Sequence, residues 1–212
     1  MSLEGIFPKP IEYSNGEIKI ACIGDSITYG HGIEDREANC YPAKLSRLLG
    51  EGYRVKNFGV SNRCATFNYP LGYFFTGFEG KTVKFKPHIT LIMLGTNDTK
   101  PCIWNERDFR RGYTRLIKRI SAVCGRIYIM LPPPAFNDDE PYGKYRINNA
   151  LISGRLREIL NSLAREVSAG IIDIYTPLMA HGDLFSDGIH PDAEGAEIIA
   201  ETIYNKLCEV EK

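Results

Sequence analysis

Five short, nearly uninterrupted apolar runs punctuate the chain: Ile18–Ile23, Tyr53–Phe58, Ile89–Leu94, Arg126–Leu131 and Ile171–Tyr175. The stretches between them repeat with helical spacing, and no other feature constrains the fold as tightly. A strand with one wet face alternates apolar and polar residues, whereas an unbroken run of Ile, Val, Leu, Met and Tyr belongs in a sheet covered on both faces. Tyr41–Leu49 reads as a helix stopped by Gly50. Glu106–Cys124 reads as another, stopped by Gly125, with Phe109, Tyr113, Leu116, Ile117 and Ile120 on one stripe. Tyr145–Val167 carries Ile147, Leu151, Ile152, Leu156, Ile159, Leu160 and Leu163 at the same period and stops near Gly170. A last helix follows Asp192, a residue suited to an N-cap, and runs to Cys208. Strands alternating with helices imply a parallel sheet with right-handed crossovers, hence a three-layer α/β/α domain. No repeat, linker or low-complexity tract interrupts it. Residues 18–212 are expected to form one domain behind an N-terminal extension, 1–17.

Charge narrows the partners. The 212 residues hold 26 Lys and Arg against 26 Asp and Glu, for a net charge of zero. A surface that tracks phosphates needs a basic excess, so the electrostatic case for nucleic acid is missing. No stretch of about 18 apolar residues occurs, which excludes a membrane-spanning helix at the level of sequence. A chain of this length buries roughly 70% of its unfolded surface and needs neither a disulfide nor a metal staple. Cys22, Cys40, Cys64, Cys102, Cys124 and Cys208 are scattered without CxxC spacing and read as free thiols of a reducing compartment. The N-terminus lacks a charged-then-apolar leader pattern. The default expectation is a cytoplasmic protein; an exported one whose leader is missing from this sequence is the alternative.

Two segments fit neither period. Cys64–Phe85 is rich in glycine and in aromatics (Phe67, Tyr69, Tyr73, Phe74, Phe75, Phe78), and Pro132–Pro133–Pro134 must be an extended, stiff loop. Both follow strand ends, where open parallel sheets build their sites. The aromatics read first as satellite core, and otherwise as a platform for a flat ligand.

The residues able to do chemistry sit at strand ends as well. Gly24-Asp25-Ser26-Ile27-Thr28 follows the first strand. A serine there can present its hydroxyl at the sheet edge, although Asp-Ser is also an ordinary helix cap. It is neither the GxSxG elbow, since position 28 is Thr, nor a phosphate loop, since no Gly-Lys-Ser/Thr follows. Gly95-Thr96-Asn97-Asp98 follows the third strand, and the Asn97 amide could donate to a developing oxyanion or simply close an Asx turn. In Ser186-Asp187-Gly188-Ile189-His190-Pro191 a three-residue offset lets one turn present a carboxylate and an imidazole. The Asp can then hold one ring nitrogen and leave the other free as a base toward serine. His88 precedes the third strand, at the wrong end of the sheet, and His31 and His181 read as surface residues. No HExxH occurs, and Asp138-Asp139-Glu140 reads as a solvated loop, so no metal or other cofactor is expected.

Taken together, GDSIT, GTND and DGIHP, in that order and at strand ends, resemble the SGNH (GDSL) hydrolase superfamily over Ile18 to Leu207. The resemblance implies a flavodoxin-like fold with a five-stranded parallel sheet of order 2-1-3-4-5. It also implies Ser26 as nucleophile, Asp187 and His190 as carboxylate and base, and Asn97 as side-chain oxyanion donor beside the Ser26 N–H. The glycine usual after the second strand, whose N–H completes the oxyanion hole, is replaced here by Asn62 in the run Asn57-Phe58-Gly59-Val60-Ser61-Asn62. Asn is among the few residues that tolerate positive φ, so the donor is assigned to Asn62, with Gly59 the second choice. YPAKLSRLLGEGYRVKNFGVS, the triple-proline loop and DGIHPDAEGAEIIAETIY look like bacterial carbohydrate acetylesterases of the sialate O-acetylesterase-like and acetylxylan-esterase-like kinds. The implied substrate is a small-molecule or glycan acetyl ester. A lysophospholipase or thioesterase built on the same site, or an inactive sugar-binding protein, are the other readings.

Overall fold

The structure is a computed structural model that describes residues 16–136 and 145–209, so Asp138-Asp139-Glu140 and most of the N-terminal extension lie outside the described residues. Five parallel strands, β1 (Ile18–Gly24), β2 (Tyr53–Gly59), β3 (Ile89–Met93), β4 (Arg126–Leu131) and β5 (Gly170–Asp173), form one sheet in the order β2-β1-β3-β4-β5. Around them run α1 (Ser26–Tyr29), α2 (Arg36–Asn39), α3 (Tyr41–Leu49), α4 (Phe78–Phe85), α5 (Glu106–Ser121), α6 (Asn149–Leu151), α7 (Arg157–Glu166), α8 (Tyr175–Leu178) and α9 (Ala193–Glu209). Gly24 pairs with Gly59 on one side and Met93 on the other, so β1, β2 and β3 finish level with one another. The loops after them therefore meet at one edge.

Strand alternation sorts the sequence into two cores. Ala21 and Ile23 of β1 face one side, with Ile92, Ile127 and Ile129, and pack on Phe109, Tyr113, Leu116 and Ile120 of α5 and Ile159 and Leu163 of α7. Ile20 and Cys22 face the other side, with Leu91, Met93 and Met130, against Tyr41 and Leu45 of α3 and Ile199, Ala200 and Ile203 of α9. Both faces are covered, which is why the strands read as continuous apolar runs.

Caps set the helix starts. The Asn105 side chain accepts from the Asp108 N–H at 3.0 Å to open α5, and Asp192 accepts from Glu194 and Gly195 to open α9. The observed bounds differ from the sequence reading where side chains intervene. β5 ends at Asp173, because its carboxylate accepts from the Thr176 N–H and hydroxyl and turns Tyr175 into α8. α5 ends at Ser121, three residues early, as Val123 closes a tight turn onto the Ile120 carbonyl and the Cys124 thiol faces the His88 and Arg126 carbonyls at the starts of β3 and β4. Within the helix that runs from Asn149 to Glu166, Ile152–Leu156 widens into a π-turn. Leu156 packs there 3.0 Å from where a Cβ on Gly95 would stand, at the head of the loop after β3. The Cys64–Phe85 segment contains a 3₁₀ turn (Tyr73–Thr76) and α4, neither of which the sequence period revealed.

Candidate active site

Gly24 ends β1 in a space no other residue fits, since a Cβ there would lie 2.0 Å from the Thr28 hydroxyl and 2.7 Å from the Met93 carbonyl. The chain turns at once into α1. Asp25 is its N-cap, accepting from the Ile27 N–H at 3.0 Å, and Ser26 is its first residue. The Ser26 N–H thus belongs to the first turn, where helices leave donors without intrahelical partners. α1 can lie close over β2 because Gly59 has no side chain; a Cβ there would meet the Tyr29 nitrogen at 2.3 Å.

The turn after α8 brings Asp187 and His190 to the same edge. The Ser26 Oγ and the His190 Nε2 are 2.8 Å apart, and the His190 Nδ1 lies 2.7 Å from the Asp187 Oδ2. The other carboxylate oxygen of Asp187 accepts from the backbone N–H groups of Ile189 and His190 at 2.9 and 2.8 Å. Partial burial by itself raises the Asp187 pKa. The hydrogen bonds from the His190 ring and from the His190 and Ile189 N–H groups outweigh it and hold the carboxyl at about 2. A carboxylate so fixed accepts the Nδ1 proton and leaves Nε2 as the acceptor facing serine. The proline loop supports this turn from behind. Pro132 to Ala135 are buried, the Phe136 N–H donates to the Gly188 carbonyl at 2.7 Å, and Phe136 packs on Phe185.

The loop after β3 grips the loop after β2 through three side chains. Asn97 donates one amide hydrogen to the Arg63 carbonyl at 3.1 Å, which leaves its second hydrogen available. Asp98, fully buried, accepts from the Ala65 and Thr66 N–H groups and the Thr66 hydroxyl at 2.7–2.9 Å. The Lys100 ammonium donates to the Asn62 Oδ1 at 3.0 Å. Asn62 has φ of 61°, in the left-handed region, and its N–H has no hydrogen-bond partner among the described residues. The Gly59 N–H, by contrast, donates to the Asn57 Oδ1 at 2.8 Å.

Two buried carboxyls lie beneath the site. Burial pushes Asp25 up to about 7; the Ile27 N–H works against this, neighbouring Asp98 adds to it, and Lys100 pulls it down. Burial raises Asp98 too, against its three donors. The Asp25 Oδ2 has no partner among the described residues. Burial lowers the Lys100 pKa, while nearby groups including Asp25 and Asp98 act in the opposite direction.

His88 lies at the far end of the sheet, its Nδ1 accepting from the Lys19 N–H. His31 is exposed, as a surface residue should be, yet its ring centroid stands 4.7 Å from that of His190. Tyr145 meets the same imidazole edge-on at 5.5 Å. No sequence pattern singled out His31, which follows the left-handed Gly30 that ends the helix opened by Ser26. Lys100, three positions beyond Asn97, escaped the motif reading because lysines at loop ends are common. The aromatics of Cys64–Phe85 are mostly turned inward. Tyr73 is buried and donates to the Phe58 carbonyl, Phe74 and Phe78 pack on the core, and Phe75 alone of this group is largely exposed, at 65%. Among the described residues no three His, Cys, Asp or Glu side chains converge as a metal site, and no helix is long and apolar enough to cross a membrane. The six cysteines are unpaired.

A serine hydroxyl bonded to an imidazole that is itself held by a carboxylate is an arrangement that can attack an ester carbonyl. Residues 22–198 match the model of the GDSL-like lipase/acylhydrolase family. The chain belongs to that family. It is 34% identical over 207 residues to an acetylxylan esterase of Xylanibacter ruminicola, an alignment covering 88% of this chain and 42% of that protein, so the chain spans less than half of its relative. Among solved structures the fold is similar to Est24, a carbohydrate acetylesterase from Sinorhizobium meliloti, with TM-score 0.72, 22% identity and coverage of 92% of this chain and 100% of that one. It is similar also to Axe2, an acetylxylan esterase from Geobacillus stearothermophilus, with TM-score 0.71, 19% identity and coverage of 91% and 95%. These likenesses show the three-layer fold, with the strand order seen in the sheet.

Proposed function

We propose that this chain removes O-acetyl groups from carbohydrate through a Ser26–His190–Asp187 triad and an acetyl-enzyme. The observation that carries the reading is the unbroken line of hydrogen bonds from the Asp187 carboxylate through both nitrogens of His190 to the Ser26 hydroxyl. The Ser26 Oγ attacks the acetyl carbonyl as the His190 Nε2 takes its proton, and Asp187 stabilises the imidazolium that forms. The carbonyl oxygen becomes an oxyanion facing the Ser26 N–H, the free Asn97 amide hydrogen and the Asn62 N–H. Fixed donors in that position act on charge that exists only in the transition state. Collapse breaks the C–O bond of the ester, and the imidazolium returns its proton to the departing sugar hydroxyl. Water, activated by the same imidazole, then releases acetate from Ser26.

The carbohydrate part of the reading rests on the likeness to an acetylxylan esterase; the rings of His31 and Tyr145 stand beside the base, where a sugar would have to pass. An acetylesterase draws binding energy from the sugar and needs room for only a methyl group on the acyl side. A methylene that enters an apolar groove gains about 0.8 kcal/mol, whereas one forced into a filled pocket costs about 1–3 kcal/mol. kcat/KM for a series of esters from acetate to octanoate should therefore fall, with acetate best and butyrate already poor. A maximum at hexanoate or beyond would favour a lipid or thioester substrate.

A further inference from the structure

We propose that Lys100 is a positioning residue for the oxyanion hole: its ammonium holds the Asn62 side chain and thereby keeps the Asn62 backbone in the left-handed conformation that aims its N–H at the substrate. The inference rests on the ester-hydrolase reading above and concerns a residue outside the triad.

Three observations converge on it. Asn62 stands at φ of 61°, a conformation available to Asn but not preferred by it, at an exposed loop position where neighbouring side chains do not pack it into place. Among the described residues one hydrogen bond restrains its side chain, from the Lys100 Nζ at 3.0 Å. Lys100 is itself anchored. Its N–H donates to the Asn97 carbonyl, and its own carbonyl accepts from Ile103 and Trp104 at 2.8 and 2.9 Å, so the ammonium projects from a fixed base. Asn97, Asp98 and Lys100 thus tie a single turn to residues 62–66. Asn97 and Asp98 fix the backbone from Arg63 onward, and Lys100 fixes the residue just before it. A glycine at position 62 would reach positive φ without help; an asparagine there gains from a clamp.

The test is a double-mutant cycle on a small acetyl ester, with one measurement that does not depend on turnover. Lys100→Met should lower kcat about tenfold and change KM less than about twofold, since the N–H matters when the oxyanion forms. Asn62→Gly should lose a few-fold, because glycine also visits other conformations. In the Asn62→Gly background Lys100→Met should then cause no further loss, because the clamped side chain is gone. Equal losses in both backgrounds, or no loss in the wild-type background, would overturn the clamp. The three-bond HN–Hα coupling of Asn62, which reports φ directly, should move in Lys100→Met; an unchanged coupling likewise rejects the proposal. A wild-type protein without esterase activity would reject the hydrolase reading, and the coupling would still judge the clamp.

Discussion

Asp25 precedes Ser26 in the chain and Asp187 is linked to it through His190, yet their surroundings drive the two carboxyls in opposite directions. Asp187 gathers a ring N–H and two backbone donors and stays near 2, so it remains ionised through any ordinary assay range. Asp25 is buried with one oxygen unpartnered and is raised from 3.8 to about 7. For an acid whose folded pKa lies above its unfolded value, the native state holds the extra proton between the two. Stability therefore declines as pH rises from about 4 to about 7, by on the order of 4 kcal/mol if fully expressed. Asn at this position keeps an oxygen for the Ile27 N–H and cannot ionise. The melting temperature of Asp25→Asn should exceed that of the wild type by a margin that widens between pH 5 and pH 8, measured by calorimetry across that range. A constant margin would mean that Asp25 does not titrate there. In the loop after β3, Asn97→Ala should lose roughly 10²–10³-fold in kcat, the range for one oxyanion donor, with KM little changed; steady-state kinetics on an acetyl ester decide it.

At the scale of elements, the site depends on how tightly α1 sits over β2 and how the loops after β2 and β3 are bound together. Gly59→Ala places a methyl 2.3 Å from the Tyr29 nitrogen, backbone that cannot swing aside. The variant should be destabilised by about 1–3 kcal/mol in urea unfolding, and kcat should fall because α1 carries Ser26. A fully stable and active variant would mean that α1 shifts freely. These elements also mark how far the sequence could be read. The strands were legible because both faces of the sheet are covered, and α3 and α9 because Gly50 and Asp192 delimit them. α4 was not, because an eight-residue helix with Gly80 inside it and one buried residue, Thr82, leaves no stripe. At the site, Ser26, Asp187 and His190 stood out through motif order, and the fold brings them within hydrogen-bond reach. Asn62 could be singled out because Asn tolerates positive φ. The side chains that frame them, His31, Tyr145 and Lys100, come from loops whose spacing carries no period, and only folding reveals their neighbours.

The whole molecule is a sheet that brings the ends of β1, β2 and β3 and the turn before α9 to one edge, with residues from four separate stretches meeting there. At that edge we propose Ser26 as an activated nucleophile. Removing the hydroxyl in Ser26→Ala should cut kcat by about 10⁴-fold or more, with little effect on KM. That loss alone would not distinguish a nucleophile from a residue that merely orders water, so the most direct measurement is covalent. The protein is treated with a fluorophosphonate, digested, and the modified peptide sequenced by mass spectrometry. One adduct is expected, on Ser26, formed in step with loss of esterase activity, greatly slowed in His190→Ala and absent in Ser26→Ala. Labelling at another residue, or full activity in protein whose Ser26 is blocked, would contradict it.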